Sequence, residues 1–324
     1  MRRRTRGGAA VWTAAVLGAL VLTAVLFRLP GAEDWIKAKL SGLFRPGAQV
    51  SAQLGPLQVT IGDLSAGGSA DPDALELHVF DVGQADALLV RQGSHAMLVD
   101  AGDPGDAGGL LEYLDSQGIR RLDWLVLTHP HADHIGGAEA VVRGVRVERV
   151  LLSPAPQTTQ MYEILLDAVE ERGIPVQTAR PGDSFPLGKA ECLILSPDPE
   201  KGYEDLNDWS VTLRVSCGGM SMLLTGDMGE AAEADLLAAG LPVDACVLKA
   251  GHHGSASASS QAFLEAVAPA AVIVTCAADS EDNLPNARVL ERYRALGAAV
   301  FRTDERGAVG VVLRDGRISV ATAR

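Results

Sequence analysis

Positive charge, cysteine and histidine are all scarce in this sequence. The first shortage argues against a nucleic-acid-binding surface, and the second argues against a cysteine-based metal site. The chain holds 28 Lys and Arg against 41 Asp and Glu, a formal net charge of −13. Such a balance favours solubility and argues against the broad basic surface of proteins that bind nucleic acid tightly. The 324 residues are 47% hydrophobic, which is ample material for a buried core in one large or two small domains.

The four cysteines are far apart, and each lies in or beside an apolar, strand-like run. They are Cys192, Cys217, Cys246 and Cys276. Cysteine-based metal sites use closely spaced pairs, and no CxxC pair occurs here, which argues against cysteine as a zinc ligand. We interpret these residues as buried free thiols that pack as small hydrophobic groups. One disulfide is the alternative if the protein is exported.

Seven histidines occur in the chain, yet three of them fall inside THPHADHIGG at 128–137, directly after the apolar strand LDWLVLTH. His129 and His131 are two apart and point to the same side of an extended segment. Asp133 and His134 come where the chain turns into a helix. A polar loop of satisfied histidines is the alternative, but this density of imidazole and carboxylate groups suits zinc or a similar divalent ion.

Two later apolar strands also end in polar groups. The run LLTGDM ends in Asp227, which could also cap the helix that follows. The run CVLKAGHHGS brings Lys249, His252, His253 and Ser255. Adjacent histidines in a glycine-flanked loop seldom serve packing. Together with the first cluster, these strands supply ligands for two metal ions, with Asp227 placed to bridge them.

Charge is absent from Gly7 to Phe27, after four arginines and before Arg28. About 20 apolar residues span a bilayer as a helix, and the arginine cluster favours the cytoplasmic side. We therefore predict that residues 1–31 form a basic tip and a single membrane anchor, with the rest of the chain extracytoplasmic. A cleaved signal peptide and a secreted protein are the alternative, although RLPGA is a poor cleavage site.

Regular hydrophobic patterning is weak between the anchor and residue 74. Ala32–Phe44 is predicted to be a short amphipathic helix next to the membrane. From Arg45 to Asp73 the chain is rich in Gly, Pro, Ser and Ala, as linkers are. We interpret 32–73 as a juxtamembrane segment and linker.

Strand-like and helix-like segments alternate over 74–324, without an internal repeat. Three strands precede a helix at 108–118, and a helix is predicted at 158–173. Two strands flank Gly218-Gly219 and predict a hairpin. The mixture of hairpins and helices predicts an α/β domain in which outer helices cover two sheets, rather than one doubly wound parallel sheet.

The sequence resembles the metallo-β-lactamase superfamily, whose HxHxDH signature matches HPHADH at 129–134. Further stretches resemble one subgroup, the extracellular domain of the bacterial competence protein ComEC and the related phosphorylcholine esterases. They are FDVGQADALLV, LVDAG, NDWSVTLRV, LLTGDM, LKAGHHGS and the tail ALGAAVFRTDERGAVGVVLRDG. The resemblance covers about 77–318 and implies an αββα four-layer sandwich with two metals at one edge, between the sheets.

The resemblance implies roles for the residues of the first cluster. His129 and His131 would bind one metal. Asp133 and His134 would bind the other, and Asp227 would bridge the two. Zinc is the expected ion at both sites, with manganese as the alternative. The residues expected to take part in catalysis are Asp133, Asp227, His252 and His253.

Either His252 or His253 would complete the second metal, and the other would hydrogen-bond the substrate. The resemblance does not assign which is which. Asp100 resembles the carboxylate that supports the metal loop from behind. Three more polar residues are expected along the same edge: Asp81, Gln84 and Asp86.

This sequence departs from the superfamily pattern in three places. Many members have another metal-binding histidine before the bridging aspartate, but none occurs between 135 and 251. The first metal is therefore expected to be held weakly, or to be completed by water or substrate phosphate. Ala85 replaces a glycine, and Leu284 replaces a histidine that would contact substrate. The candidates for substrate contact are Asn207, Ser210, Lys249 and Ser255.

These features predict an exported metal-dependent hydrolase, with a phosphodiester such as single-stranded DNA as the expected substrate by analogy with ComEC. The membrane would be contacted through the N-terminal helix, and no protein partner is predicted. One alternative is a hydrolase of small or cell-wall-linked esters, such as phosphorylcholine or a lactam. Another is a non-catalytic module with a metal site.

Overall fold

A computed structural model of the chain describes residues 50–54, 57–61, 71–280 and 282–324. The described strands, in chain order, are β1 (Val50–Leu54), β2 (Leu57–Ile61), β3 (Leu75–Val79), β4 (Ala87–Gln92), β5 (His95–Ala101), β6 (Arg121–Leu122), β7 (Trp124–Leu127), β8 (Arg146–Val147), β9 (Val150–Leu152), β10 (Val176–Thr178), β11 (Ser184–Leu187), β12 (Ala190–Ser196), β13 (Thr212–Cys217), β14 (Met220–Leu224), β15 (Val247–Lys249), β16 (Ala271–Val274), β17 (Ala299–Arg302), β18 (Val309–Arg314) and β19 (Arg317–Thr322).

The described α-helices are α1 (Ala107–Ser116), α2 (Ala132–Ile135), α3 (Ala138–Gly144), α4 (Gln160–Glu171), α5 (Glu230–Ala239), α6 (Gln261–Val267), α7 (Ala287–Ala295) and α8 (Thr303–Arg306). A short 3-10 helix, Leu206–Trp209, and a tight turn, Gly251–Gly254, lie beside the candidate site. Several helices are capped by the side chain of the residue immediately before their first residue. The Ser260 side chain accepts a hydrogen bond from the Phe263 N–H, and Asn286 accepts one from the Arg288 N–H.

Two large sheets form the centre of the fold, as the sequence predicted. The first has the strand order β1-β2-β19-β18-β3-β4-β5-β7-β9-β10, and the second has the order β11-β12-β13-β14-β15-β16-β17. Strands β5, β7, β9 and β10 are mutually parallel in the first sheet, and β14 to β17 are parallel in the second. Each sheet therefore combines a hairpin-rich part with a parallel part.

Three apolar clusters show how the layers pack. One contains side chains of both sheets and lies between them. Another joins the first sheet to α1, α3 and α4, and the third joins the second sheet to α5, α6 and α7. Strand β7 contributes Trp124 and Val126 to the first cluster, and Leu125 and Leu127 to the second. Alternate residues of a strand face opposite sides, so a sheet covered on both faces needs continuous apolar runs of this kind.

The hairpin predicted around Gly218-Gly219 is present as β13 and β14. Both glycines have positive φ, 58° and 78°. Two successive positive φ values are the requirement of the tight hairpin turn that matches the twist of the strands. The small sheet of β6 and β8 and the hairpin of β11 and β12 were not predicted, because those segments are short or only partly apolar.

The structure has two strands in the segment that we predicted to be a linker. Within 45–73, β1 and β2 pair with each other, and β2 adds to the first sheet beside β19. The run VSAQLGPLQVTI contains β-branched residues on both sides of Gly-Pro, which is a hairpin signal that its overall Gly, Pro and Ser content concealed.

The predicted membrane anchor (1–31) and the amphipathic segment 32–44 lie outside the described residues, so both stay predictions. Among the helices that the structure describes, none combines the length and the apolar character needed to cross a bilayer.

Candidate metal centre

The candidate ligands lie at the carboxyl ends of parallel strands from both sheets. His129 follows β7, Asp227 follows β14, and His253 follows β15. The backbone joins the sheets at this edge, because the Val211 N–H donates to the Thr128 carbonyl at 2.8 Å. Ligands that are distant in sequence thus meet where loops leave the strands, which is the usual place of sites in α/β folds.

Four side chains converge at this edge, and we call Asp133, His134, Asp227 and His253 the four-residue cluster. One ligand atom from each lies within 4.8 Å of the others. The Nε2 atom of His134 is 3.3 Å from Oδ2 of Asp227 and 3.5 Å from Oδ2 of Asp133. The Nε2 atom of His253 is 3.5 Å and 3.4 Å from the same two oxygens. Two imidazoles and two carboxylates therefore face one small volume.

His129 and His131 form a second group, the histidine pair, beside the four-residue cluster. Nε2 of His129 lies 2.9 Å from Nδ1 of His131, and the rings of His129 and His134 are 4.1 Å apart between centroids. Burial lowers the pKa of His129 well below its usual value, and the neighbouring His134 lowers it further. A neutral imidazole is the form that binds a metal.

The donor atoms of the four-residue cluster fit a metal ion. His134 Nε2, His253 Nε2 and Asp227 Oδ1 are buried and have no hydrogen-bond partner among the described residues. Buried polar atoms are nearly always paired, because an unpaired one costs about 1–3 kcal/mol. Nitrogen and oxygen donors that share one volume and lack partners are the arrangement that a divalent cation satisfies.

The electrostatics of the four-residue cluster also favour a cation. Burial raises the pKa of Asp133 and Asp227, but the imidazoles of His134 and His253 outweigh it and hold both carboxyl pKa values well below their usual range. Burial lowers the pKa of His134 and His253, but Asp227 outweighs it, with Asp100 acting on His134, and both imidazole pKa values are raised. Protons on the imidazoles would balance the charge of the carboxylates, and a metal that bound there would displace them.

Asp100 supports the cluster from behind, as the resemblance implied. Its Oδ2 lies 2.8 Å from His134 Nδ1 and accepts the Thr128 hydroxyl at 2.7 Å, while its Oδ1 accepts the Thr128 N–H at 2.8 Å. With Nδ1 bound to a carboxylate, His134 presents Nε2 to the centre. Thr128 was not predicted, although its position immediately before His129 was a usable signal.

The structure separates the roles of the adjacent histidines. His253 is buried in the four-residue cluster, whereas His252 is partly exposed and its Nδ1 lies 3.1 Å from the Ser257 hydroxyl. Both residues have left-handed backbones, with φ of 46° and 51°. Strain of this kind costs about 1–3 kcal/mol and is found at functional sites. It turns the two side chains apart, so His252 does not join the ligands.

The glycines of THPHADHIGG are required by close packing. A side chain at Gly136 would overlap Pro104, and one at Gly137 would overlap the Ala101 carbonyl. The loop of residues 128–137 therefore packs directly against the backbone at the end of β5 and just after it.

Two predicted substrate contacts have other roles. Lys249 is fully buried, and its Nζ lies 2.8 Å from Asp86 Oδ2. Ser210 is also fully buried; its Oγ accepts the Asp227 N–H at 3.0 Å and lies 3.4 Å from His129 Nδ1. Both face the interior because they end or precede buried strands, and direct substrate contact stays a prediction for them.

The remaining predicted residues lie around the centre. Asn207 is buried, and its Oδ1 has no hydrogen-bond partner in the part of the chain that the structure describes. The Ser255 hydroxyl lies 3.0 Å from that of Ser257. Gln84 Oε1 accepts the Ala277 N–H at 3.4 Å. Asp81 is exposed and pairs with Arg324 at 2.5 Å, away from the ligands.

A family model described as the metallo-β-lactamase superfamily matches residues 80–277, which include every residue of the four-residue cluster and the histidine pair. The chain belongs to the metallo-β-lactamase superfamily.

Within this superfamily, the chain is similar to competence-related proteins. It shares 28% identity over 253 residues with ComE operon protein 3 of Bacillus subtilis (strain 168), covering 72% of this chain and 32% of that protein. It shares 32% identity over 248 residues with Competence protein ComA of Neisseria gonorrhoeae, covering 76% and 33%. The chain thus spans about a third of the length of these relatives.

Among solved structures, the metallo-β-lactamase fold protein YhfI from Bacillus subtilis aligns with a TM-score of 0.50 at 12% identity, over 71% of this chain and 96% of that one. This likeness concerns the fold.

Proposed function

We propose that this protein is a metal-dependent hydrolase that cleaves phosphodiester bonds, with single-stranded DNA as its expected substrate. The observation that carries the proposal is the convergence of two imidazoles and two carboxylates. Three of their buried atoms have no hydrogen-bond partner among the described residues: Nε2 of His134, Nε2 of His253 and Oδ1 of Asp227. Membership of the metallo-β-lactamase superfamily supports hydrolysis. Similarity to competence proteins supports DNA as the substrate.

The four-residue cluster would hold one divalent ion, and the histidine pair would hold a second, with Asp227 between them. Zinc suits this nitrogen and oxygen donor set, and manganese is the alternative. Bound ions of this kind supply Lewis acidity toward a phosphoryl oxygen and a water nucleophile at neutral pH.

The protein's own residues orient the ligands and admit the substrate. Asp133 is the most open of the four-residue cluster, with 30% of its side chain exposed against 2% or less for the others. His131 and His252 are also partly exposed. We therefore expect the substrate to approach from this side, where His252, oriented by Ser257, would donate a hydrogen bond to a phosphate oxygen.

We also propose a cellular location for the protein. The N-terminal sequence supports a single-pass membrane protein with its catalytic domain extracytoplasmic, and a secreted protein is the alternative.

A second candidate is a hydrolase of small or cell-wall-linked esters. The net charge of −13 favours it, because an acidic surface attracts a long polyanion poorly. A narrow groove at the site would nevertheless accept a single strand.

The test is a substrate panel with the purified full-length chain: single-stranded DNA, bis-p-nitrophenyl phosphate and a chromogenic cephalosporin, each with and without added zinc or manganese. We expect metal-dependent diester cleavage that is lost in Asp133→Ala and retained in Asp123→Asn, a change at the opposite end of β7. Cleavage of the cephalosporin alone would refute the phosphodiesterase proposal. A folded chain that binds no metal would favour a non-catalytic module.

A further inference from the structure

Lys249 is a buried ammonium group close to the candidate centre. It ends β15 and is fully buried. Its Nζ lies 2.8 Å from Asp86 Oδ2, which is also fully buried, and donates to the Ala250 carbonyl at 2.7 Å. A buried charge is tolerated when it is paired and hydrogen-bonded.

Asp86 contacts the loop of Asp133 directly and the loop of His253 through Thr275. Its backbone N–H donates to the carbonyl of Asp133 at 3.1 Å, and its Oδ1 accepts the Thr275 hydroxyl at 2.5 Å. Thr275 in turn contacts His253, whose Nδ1 lies 3.1 Å from both the carbonyl and the hydroxyl oxygen of Thr275. Asp86 therefore connects Asp133 to His253 through short contacts.

The direction of these hydrogen bonds determines which nitrogen of His253 faces the ligands. The hydroxyl hydrogen of Thr275 goes to Asp86, so both Thr275 oxygens can only accept from His253. Nδ1 then carries the hydrogen. In the neutral imidazole that binds a metal, Nε2 then carries the lone pair, on the side of Asp133 Oδ2, 3.4 Å away.

We infer that the buried Lys249–Asp86 pair is a positioning pair, which holds Asp133 and His253 in ligand geometry and presents Nε2 of His253 to a divalent ion. The inference rests on the proposed metal-dependent function.

Packing alone does not require charges at this place, because buried ion pairs can often be replaced by apolar residues without loss of stability. An apolar pair would, however, release the hydroxyl hydrogen of Thr275. That hydrogen could then point at Nδ1 of His253 and favour the opposite tautomer, with Nε2 protonated. The charged pair excludes this arrangement.

The test measures zinc affinity of the metal-free full-length chain by competition with a chromophoric chelator, together with the melting temperature. Asp86→Ala/Lys249→Met removes the pair without leaving an unpaired charge. Thr275→Val removes the connecting hydroxyl, and Thr275→Ser keeps it. Asp123→Asn is the control, since this carboxylate binds the Ala96 N–H and His95 at the far end of β7.

We expect zinc affinity to fall about 10–100-fold in the double variant and about 10-fold in Thr275→Val. Thr275→Ser and Asp123→Asn should stay near the wild type, even if Asp123→Asn melts earlier. A folded double variant with wild-type affinity overturns the inference. If the double variant does not fold, equal affinities of Thr275→Val and Thr275→Ser overturn it, and so does an equal loss in Asp123→Asn.

Diester cleavage is assayed separately on the same preparations. If zinc affinity depends on this pair as expected but the wild type cleaves no diester, the proposed function fails and the inference stands. If the wild type cleaves diesters and the variants bind zinc normally, the inference fails and the function stands.

Discussion

The four-residue cluster and the histidine pair lie side by side but are supported differently. In the cluster, His134 is backed by the Asp100 carboxylate at 2.8 Å and His253 by both oxygens of Thr275 at 3.1 Å. In the pair, Nδ1 of His129 is near only two hydroxyls among its described contacts, Thr128 at 3.2 Å and Ser210 at 3.4 Å. Oriented ligands that include carboxylates bind a cation more tightly. We expect two ions of unequal affinity.

The largest effect should follow loss of Asp227, the carboxylate that the two proposed ions would share. Asp227→Asn removes a carboxylate that is 2% exposed and close to both His134 and His253. Because metal charge stabilisation amounts to several kcal/mol, we expect diester cleavage to fall about 10³-fold or more. Steady-state assays with saturating metal test this, with Asp123→Asn as the control. Activity within tenfold of the wild type would show that Asp227 is not shared by the two groups.

A pair of variants tests the inequality directly. His253→Ala should weaken the tightly held ion by more than about 100-fold, beyond the usual effect of an outer-shell change. His129→Ala should remove the weaker ion and leave the tight one. The measurement is the metal-to-protein ratio after dialysis, by elemental analysis. If both variants lose the same amount of bound metal, the two ions do not differ in affinity, which would contradict the expected inequality.

Stability should depend on pH and on metal together. The pKa of His134 and of His253 is raised in the folded state. Their protonation therefore stabilises the metal-free protein fully below the unfolded value of about 6.5, and this contribution is lost as pH rises through the folded pKa. A bound metal replaces those protons. The difference in melting temperature between metal-loaded and metal-free protein should thus grow from pH 6 to pH 9.

The control for this pH series is His253→Ala. In this variant, the difference in melting temperature between metal-loaded and metal-free protein should be smaller at each pH. If this difference in melting temperature is constant or falls with rising pH in the wild type, it contradicts the charge balance described for the four-residue cluster.

The smallest effect should come from Ser210→Ala. Its hydroxyl accepts the Asp227 N–H and lies near His129, and a buried hydrogen bond of this kind contributes about 1 kcal/mol. We expect a stability loss of that size in chemical denaturation and a reduction in activity of about tenfold or less. A drop as large as that of Asp227→Asn would assign Ser210 a direct part in catalysis.

Much of the fold and of the site was predictable because the signals are local. Apolar runs such as LDWLVLTH predict strands that are buried on both faces, and the residues that follow such strands lie at the sheet edge. The position of His129, His134 and Asp227 at this edge was therefore predictable from the sequence. The strands β1 and β2 were missed because a Gly- and Ser-rich composition outweighed a short β pattern.

Other assignments depend on contacts between distant residues. Thr275 and Asp86 are 189 residues apart in the chain, and their 2.5 Å hydrogen bond exists only once both sheets are in place. In the sequence, Lys249 was a candidate for substrate contact. The structure buries it beside Asp86, which precedes β4 of the other sheet.

By itself, the sequence determined which side chains stand at the ends of which strands, because the period of a strand and the position of its last residue are local properties. Tertiary structure decided which of these groups meet. It turned His253 inward and His252 outward through two left-handed backbone conformations, and it buried Lys249 against Asp86. Neither follows from local pattern, since each depends on where the second sheet places its loops against the first.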